Sequence, residues 1–204
     1  MAGLTLTRIG LFGGTFDPPH LGHAILAAEA LYSLKLDKVF WILTPQSPLK
    51  DVKNISPVDQ RLLLLQAALG DTPGFVLSKV DIERKPPYYA LDTVRILQSD
   101  HPESELIYLM GSDSLNDLPQ WYKAADFIHE IGGLGVYHRP GEQPELDSLE
   151  KVIPGITQKV YFFDAPQIEI SGMDIRERIR EHRPYRFFLQ PAVYQIIQTR
   201  KLYR

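Results

Sequence analysis

No cysteine occurs among the 204 residues. Disulfide bonds, thiolate nucleophiles and cysteine-bound metals are excluded together. There is also no basic excess: 22 lysines and arginines stand against 25 acidic residues, a formal net charge of −3. The electrostatic footprint of a nucleic-acid binder is therefore missing. No apolar run is long enough to cross a bilayer. The first eight residues, Met1 to Arg8, lack the basic and apolar regions of a secretory signal, so the chain reads as cytoplasmic, with no membrane partner. Three common nucleotide and nucleophile fingerprints are absent as well: GxGxxG, GxxxxGK[ST] and the nucleophile elbow GxSxG. A dehydrogenase, a P-loop NTPase and a serine hydrolase thus have no support.

What is present is ordinary in amount and specific in arrangement. Hydrophobic residues make up 44% and charged residues 23%, the composition of a globular chain whose length suits one domain, 1–204. Apolar runs at Arg8-Ile9-Gly10-Leu11-Phe12, Lys38 to Leu43, within 75–82, Glu105 to Met110, Gly133 to His138 and Lys159 to Phe163 read as strands. Helical patterns alternate with them at 21–34, after Ser56 as cap with Pro57 first, at 88–98, after Ser171 as cap, and from Pro191. Gly133 and Gly135 suggest close packing against their strand, and 139–154, rich in Pro, Gly and Glu, reads mostly as surface loop. Strand–helix alternation predicts an α/β fold, a doubly wound parallel sheet with right-handed crossovers. The last part, from about 170 to 204, is dense in helix and forms a small C-terminal helical part.

The chain is organised around Gly13-Gly14-Thr15-Phe16-Asp17-Pro18-Pro19-His20-Leu21-Gly22-His23. It joins the first strand to the first helix, where an open α/β sheet binds its ligands. Gly13 and Gly14 let backbone approach a ligand. His20 and His23, three apart, share one face of the first helical turn, beside unpaired N–H groups and a partial positive charge. That is a site for phosphate oxygens. Two histidines at this spacing also suit a metal, but no Asp or Glu stands near with zincin spacing.

This stretch resembles the HxGH signature of the nucleotidyltransferases, and its eleven-residue form resembles the opening motif of bacterial nicotinate-nucleotide adenylyltransferases. The resemblance spans nearly the whole chain and implies a Rossmann-like nucleotidyltransferase fold. It further implies catalytic His20, His23 and Arg176, with ATP phosphates held by Gly13, Gly14, Thr15, Phe16, Lys50 and Ser171. Ile170-Ser171-Gly172-Met173-Asp174-Ile175-Arg176 is similar to the family's ISSTxIR motif, with Gly172 and Met173 replacing two hydroxyl residues. Gly111-Ser112-Asp113-Ser114 with Trp121-Tyr122 resembles the GxDS…WY block. By that resemblance Asp113 holds a ribose hydroxyl and Trp121 stacks on the pyridine ring. Backbone N–H groups near Tyr122 and Ala90 would meet the nicotinate carboxylate, although Ala90 stands where the family has threonine. The implied reaction joins ATP and nicotinate mononucleotide, with Mg²⁺ accompanying ATP; assembly into a homo-oligomer stays open. Nicotinamide mononucleotide, phosphopantetheine and glycerol phosphate with CTP are alternative substrates, and a non-catalytic nucleotide-binding protein is an alternative class.

Overall fold

Six short apolar strands come together in one sheet, its central strands buried on both faces and its two edge strands partly exposed. In the computed structural model, which describes residues 6–46, 55–138 and 144–204, the strands are β1 (Thr7–Gly14), β2 (Lys38–Leu43), β3 (Phe75–Ser78), β4 (Ser104–Gly111), β5 (Gly133–Tyr137) and β6 (Val160–Phe163). All neighbouring pairs are parallel, in the order β3-β2-β1-β4-β5-β6. The order reverses between β1 and β4, which places a crevice at their C-terminal ends.

The helices are α1 (Leu21–Ser33), α2 (Val58–Leu69), α3 (Ala90–Asp100), α4 (Ser112–Asn116), α5 (Ala124–Glu130), α6 (Leu146–Val152), α7 (Gly172–Arg180) and α8 (Pro191–Arg200). Alternation along the strands sorts them. Ile9, Leu11, Phe40 and Ile42 pack with Leu91, Val94 and Leu97 of α3 and Phe127 of α5. Phe12, Val39, Trp41 and Leu43 pack with Leu26, Ala27 and Ala30 of α1 and Leu65 and Leu69 of α2. A third cluster joins Leu64 of α2 to Ile175 and Ile179 of α7 and Val193 and Ile197 of α8. The C-terminal helices are thus tied to α2, and through it to the sheet. Gly133 and Gly135 meet their expectation: a Cβ there would lie 2.5 Å from Tyr161 and 2.5 Å from Leu34 respectively.

Four local expectations are corrected. Pro57, not Ser56, is the N-cap of α2: the Pro57 carbonyl accepts the first helical N–H, from Arg61, at 3.1 Å, while the Ser56 carbonyl is taken by the Arg61 side chain at 2.8 Å. Helix α3 begins at Ala90 rather than Tyr88, since Tyr89 is extended and Arg84 bonds the carbonyls of Pro87 and Tyr89. Within 144–154, the described part of the stretch expected to be mostly loop, α6 forms, with Leu149 and Ile153 buried against the sheet. Helix α1, expected to be apolar on most sides, buries one side only and leaves Tyr32 exposed.

Candidate active site

The turn after β1 is shaped by its glycines and by one left-handed residue. A Cβ on Gly14 would press on the Phe16 ring at 3.0 Å. Phe16 itself has φ 46, and its ring is buried, edge-on to His23 at 5.1 Å and to Phe12 at 5.7 Å. The Phe16 side chain is therefore a floor beneath His23, and only its backbone is placed to meet a phosphate. Gly13 lies over the Tyr108 hydroxyl of β4, 3.3 Å from where a Cβ would sit.

His20 is the N-cap of α1. Its N–H donates to Nδ1 of His23 at 3.2 Å, so in neutral His23 the proton resides on Nε2. The two rings stack at 3.6 Å. His20 is only 7% exposed, and burial pushes its imidazole down to about 4, leaving it neutral near pH 7 in the free protein. Its Nδ1 is buried without a hydrogen-bond partner among the described residues, which a ligand atom would supply.

The lowered value has a consequence for stability. The unfolded chain binds this proton near the ordinary histidine pKa, about 6.5, and the folded chain only near 4. Between them the unfolded state holds more protons, so stability falls as pH falls through that window. The loss amounts to about 3 kcal/mol once the lower value is passed. A His20→Asn variant is expected to show a shallower decline of unfolding free energy in denaturant titrations across the same window. Equal slopes for the two proteins would contradict a buried, neutral His20.

Asp17 ties three distant segments to this turn. Its buried carboxylate accepts the Ser56 N–H at 3.0 Å and the Tyr203 hydroxyl at 2.9 Å. Burial first, then Asp17, raise the Tyr203 phenol above its ordinary range, so it stays a donor. Arg176 of α7 donates to the Asp17 carbonyl at 2.5 Å and stands 3.6 Å from its carboxylate. Ser171 caps α7 by accepting the Asp174 N–H at 3.1 Å. A Cβ on Gly172 would lie 2.6 Å from the Asp17 carbonyl oxygen, so glycine stands there because the N-terminus of α7 abuts the β1–α1 turn. Met173 is exposed.

A second group of residues lies at the ends of β3 and β4. Trp121 packs edge-on against Tyr108 at 5.7 Å and tilted against Phe127 at 5.5 Å. Tyr122 stacks on Tyr89 at 4.1 Å, which brings the Trp121-Tyr122 block to the start of α3. Ala90 is the first residue of that helix, so its N–H has no intrahelical partner. Buried Asp81 fixes this end. It accepts from Thr44 at 3.0 Å, from Thr93 at 2.7 Å and from Arg84 at 3.0 Å. Asp113 lies in the first turn of α4, just past β4.

The structure brings Gly13, Gly14, Thr15, Phe16, His20, His23, Ser171 and Arg176 around Asp17, and gathers Ala90, Trp121 and Tyr122 in the second group. Tyr108 touches both, through Gly13 and through Trp121. Lys50 lies outside the described residues. Another concavity, of about 390 Å³ between α7 and α8 and lined by Arg178, His182, Arg186, Phe187 and Tyr194, contains none of these residues. Four supporting residues were not singled out from sequence: Arg61, Asp81, Arg84 and Tyr203. Two carried a signal: Arg61 as a charge inside the apolar run of α2, and Tyr203 within the ending Lys201-Leu202-Tyr203-Arg204, which resembles the family's C-terminus. Among the described residues no group of three or more His, Asp or Glu could hold a metal, and no helix is long and apolar enough to cross a membrane.

Residues 11–178 match the cytidylyltransferase-like family. A probable nicotinate-nucleotide adenylyltransferase of Thermomicrobium roseum is 38% identical over 199 residues, covering 98% of this chain and 92% of that one. The nicotinate-nucleotide adenylyltransferase of Bacillus subtilis is 33% identical over 198 residues, covering 97% of this chain and 99% of that one. The solved structure of Plasmodium falciparum nicotinic acid mononucleotide adenylyltransferase complexed with NaAD superposes with a TM-score of 0.78 at 16% identity, covering 97% of each chain; at that identity it speaks to the fold alone.

Proposed function

The chain belongs to the nicotinate-nucleotide adenylyltransferases of the cytidylyltransferase-like family, and from this we propose that its crevice transfers the adenylyl group of ATP to nicotinate mononucleotide, giving deamido-NAD and pyrophosphate. A phosphate oxygen of the mononucleotide attacks the α-phosphorus of ATP. The bond from that phosphorus to the β-phosphate bridging oxygen breaks, and pyrophosphate leaves. No protein nucleophile is required; the work is to align two anions and to neutralise charge as it develops.

The observation that carries this reading is the convergence of two helix N-termini on the Asp17 turn. His20 and His23 stand at one and Ser171 and Arg176 at the other. The unsatisfied Nδ1 of buried His20 supports a ligand atom there. His20 and His23 steady the phosphates around the α-phosphorus, and the Phe16 backbone meets them from below. Arg176 and the start of α7 hold the β- and γ-phosphates. Trp121 offers an indole to the pyridine ring, and Asp113 receives a ribose hydroxyl. The N–H groups near Ala90 and Tyr122 take the nicotinate carboxylate. That contact survives the loss of threonine at Ala90 because it belongs to the backbone.

Mg²⁺ enters as part of the substrate, bound to ATP phosphates and water. Both carboxylate oxygens of Asp17 already accept hydrogen bonds, in keeping with a metal held chiefly by its nucleotide. A cytoplasmic setting without nucleic acid completes the reading. It is tested by incubating the protein with Mg²⁺, nicotinate mononucleotide and ATP labelled at the α-phosphorus. The label is expected in the dinucleotide, with one pyrophosphate formed per label transferred. Tight ATP binding with no transfer to any mononucleotide would overturn it in favour of a non-catalytic nucleotide-binding protein.

A further inference from the structure

Arg61 is the most deeply buried charge in the described part of the chain, 1% exposed. Among the described residues its guanidinium forms no hydrogen bond to a carboxylate. It donates instead to four backbone carbonyls: Nε to Ser56 at 2.8 Å, Nη1 to Thr15 at 2.8 Å and Thr44 at 3.0 Å, and Nη2 to Pro45 at 2.8 Å. These carbonyls belong to the turn after β1 and to both ends of the β2–α2 connection. Burying a guanidinium is costly, and a well-packed apolar side chain of similar volume is often no less stabilising. Holding α2 against the sheet does not by itself call for this residue.

The peptide geometry supplies a reason. The Thr15–Phe16 peptide is trans and planar, so its carbonyl and its N–H point in opposite directions. With the Thr15 carbonyl drawn to Arg61, the Phe16 N–H points away from α2. One peptide earlier, the Gly14 carbonyl accepts the Thr44 N–H at 2.9 Å, which turns the Thr15 N–H away from β2. Phe16 is left-handed, φ 46, a conformation in which successive N–H groups converge on an anion. The guanidinium also polarises the Thr15–Phe16 peptide and strengthens its N–H as a donor.

We propose that Arg61 is a positioning residue for the nucleotide phosphates: by gripping the Thr15, Thr44, Pro45 and Ser56 carbonyls it aims the Thr15 and Phe16 N–H groups at the phosphates of ATP. This rests on the adenylyl-transfer reading. It adds a buried cation that touches no substrate and acts on one of the two substrates only. Arg84 and Asp81 hold the other substrate's end of the crevice.

The test uses the full chain with Arg61→Met, which keeps volume and removes the donors, and Arg61→Lys, which keeps charge with a donor set unable to span four carbonyls. Melting is recorded alongside KM for Mg·ATP, KM for nicotinate mononucleotide, and Kd for a non-hydrolysable ATP analogue and for the mononucleotide. Arg61→Met is expected to weaken ATP and its analogue by about tenfold or more, with the mononucleotide changed less than about threefold. Arg61→Lys should recover part of the loss. Equal weakening of both substrates, or unchanged ATP and analogue constants, would overturn the assignment and leave Arg61 a packing residue. If Arg61→Met does not fold, Arg61→Lys decides by the same split: a folded lysine variant with wild-type ATP constants overturns it. The equilibrium constants need no turnover, so a wild-type protein that binds both ligands without transferring the adenylyl group defeats the reaction reading while still testing Arg61.

Discussion

Replacing His20 with alanine is expected to lower kcat by about three orders of magnitude while the protein still melts cooperatively. The magnitude follows from removing a preorganised donor where charge develops, where one such group is worth about 100- to 1,000-fold, together with the ring that stacks on His23 at 3.6 Å. Folding should be spared. Nδ1 of His20 has no hydrogen-bond partner among the described residues, and loss of an N-cap side chain costs about 1 kcal/mol. The backbone N–H to His23 Nδ1 bond remains available to alanine. Because burial holds His20 neutral in the free protein, bound phosphate must either accept a neutral N–H or draw a proton onto the ring. Steady-state kinetics and a melting curve on one preparation check the prediction. A kcat within tenfold of wild type would remove His20 from the transition state.

Arg176→Ala carries the second large effect, an expected loss of about 100-fold or more in kcat/KM for ATP. In the free protein Arg176 is anchored on the Asp17 carbonyl and carboxylate, so a structural explanation has to be weighed. Its side chain is a quarter exposed, at 25%, but the Asp17 side chain is buried, at 4%, so removing the cation leaves a buried carboxylate and costs up to about 3 kcal/mol. The Asp17 carboxylate keeps Ser56 and Tyr203 as donors. Those two donors limit the cost, so melting should drop measurably while activity falls much further. Tyr203→Phe serves as the control, since it disturbs the same carboxylate without removing a cation. If Tyr203→Phe loses as much activity as Arg176→Ala, the damage travels through Asp17. If it stays within a few-fold, the guanidinium acts on substrate. Activity and melting are measured for all three proteins.

The sheet was legible because parallel strands buried on both faces leave near-continuous apolar runs, and all six appear as such. Helix starts were less so: α3 begins where Arg84 captures two carbonyls, a contact that no local pattern records. Helix α6 was hidden by the Pro, Gly and Glu around it, although Leu146 and Leu149 are spaced three apart and both pack on the core. Within the site, the histidine pair, Ser171 and Arg176 were visible as motif residues. Gly172 was visible only as a missing hydroxyl; its reason is steric, the carbonyl of Asp17 lying where a Cβ would go. Arg61, Asp81 and Tyr203 act on backbone carbonyls or on side chains far away in sequence, which spacing does not encode. The lowered pKa of His20 is likewise a product of burial, not of its neighbours in the chain.

The central claim is adenylyl transfer to the acid form of the mononucleotide, and initial rates of pyrophosphate release with Mg·ATP test it most directly. Nicotinate and nicotinamide mononucleotides are compared side by side. The backbone donors at Ala90 and Tyr122 are suited to a carboxylate, and kcat/KM is expected to favour the acid by about 100-fold or more. A preference for the amide, or no pyrophosphate with either mononucleotide, would contradict the account.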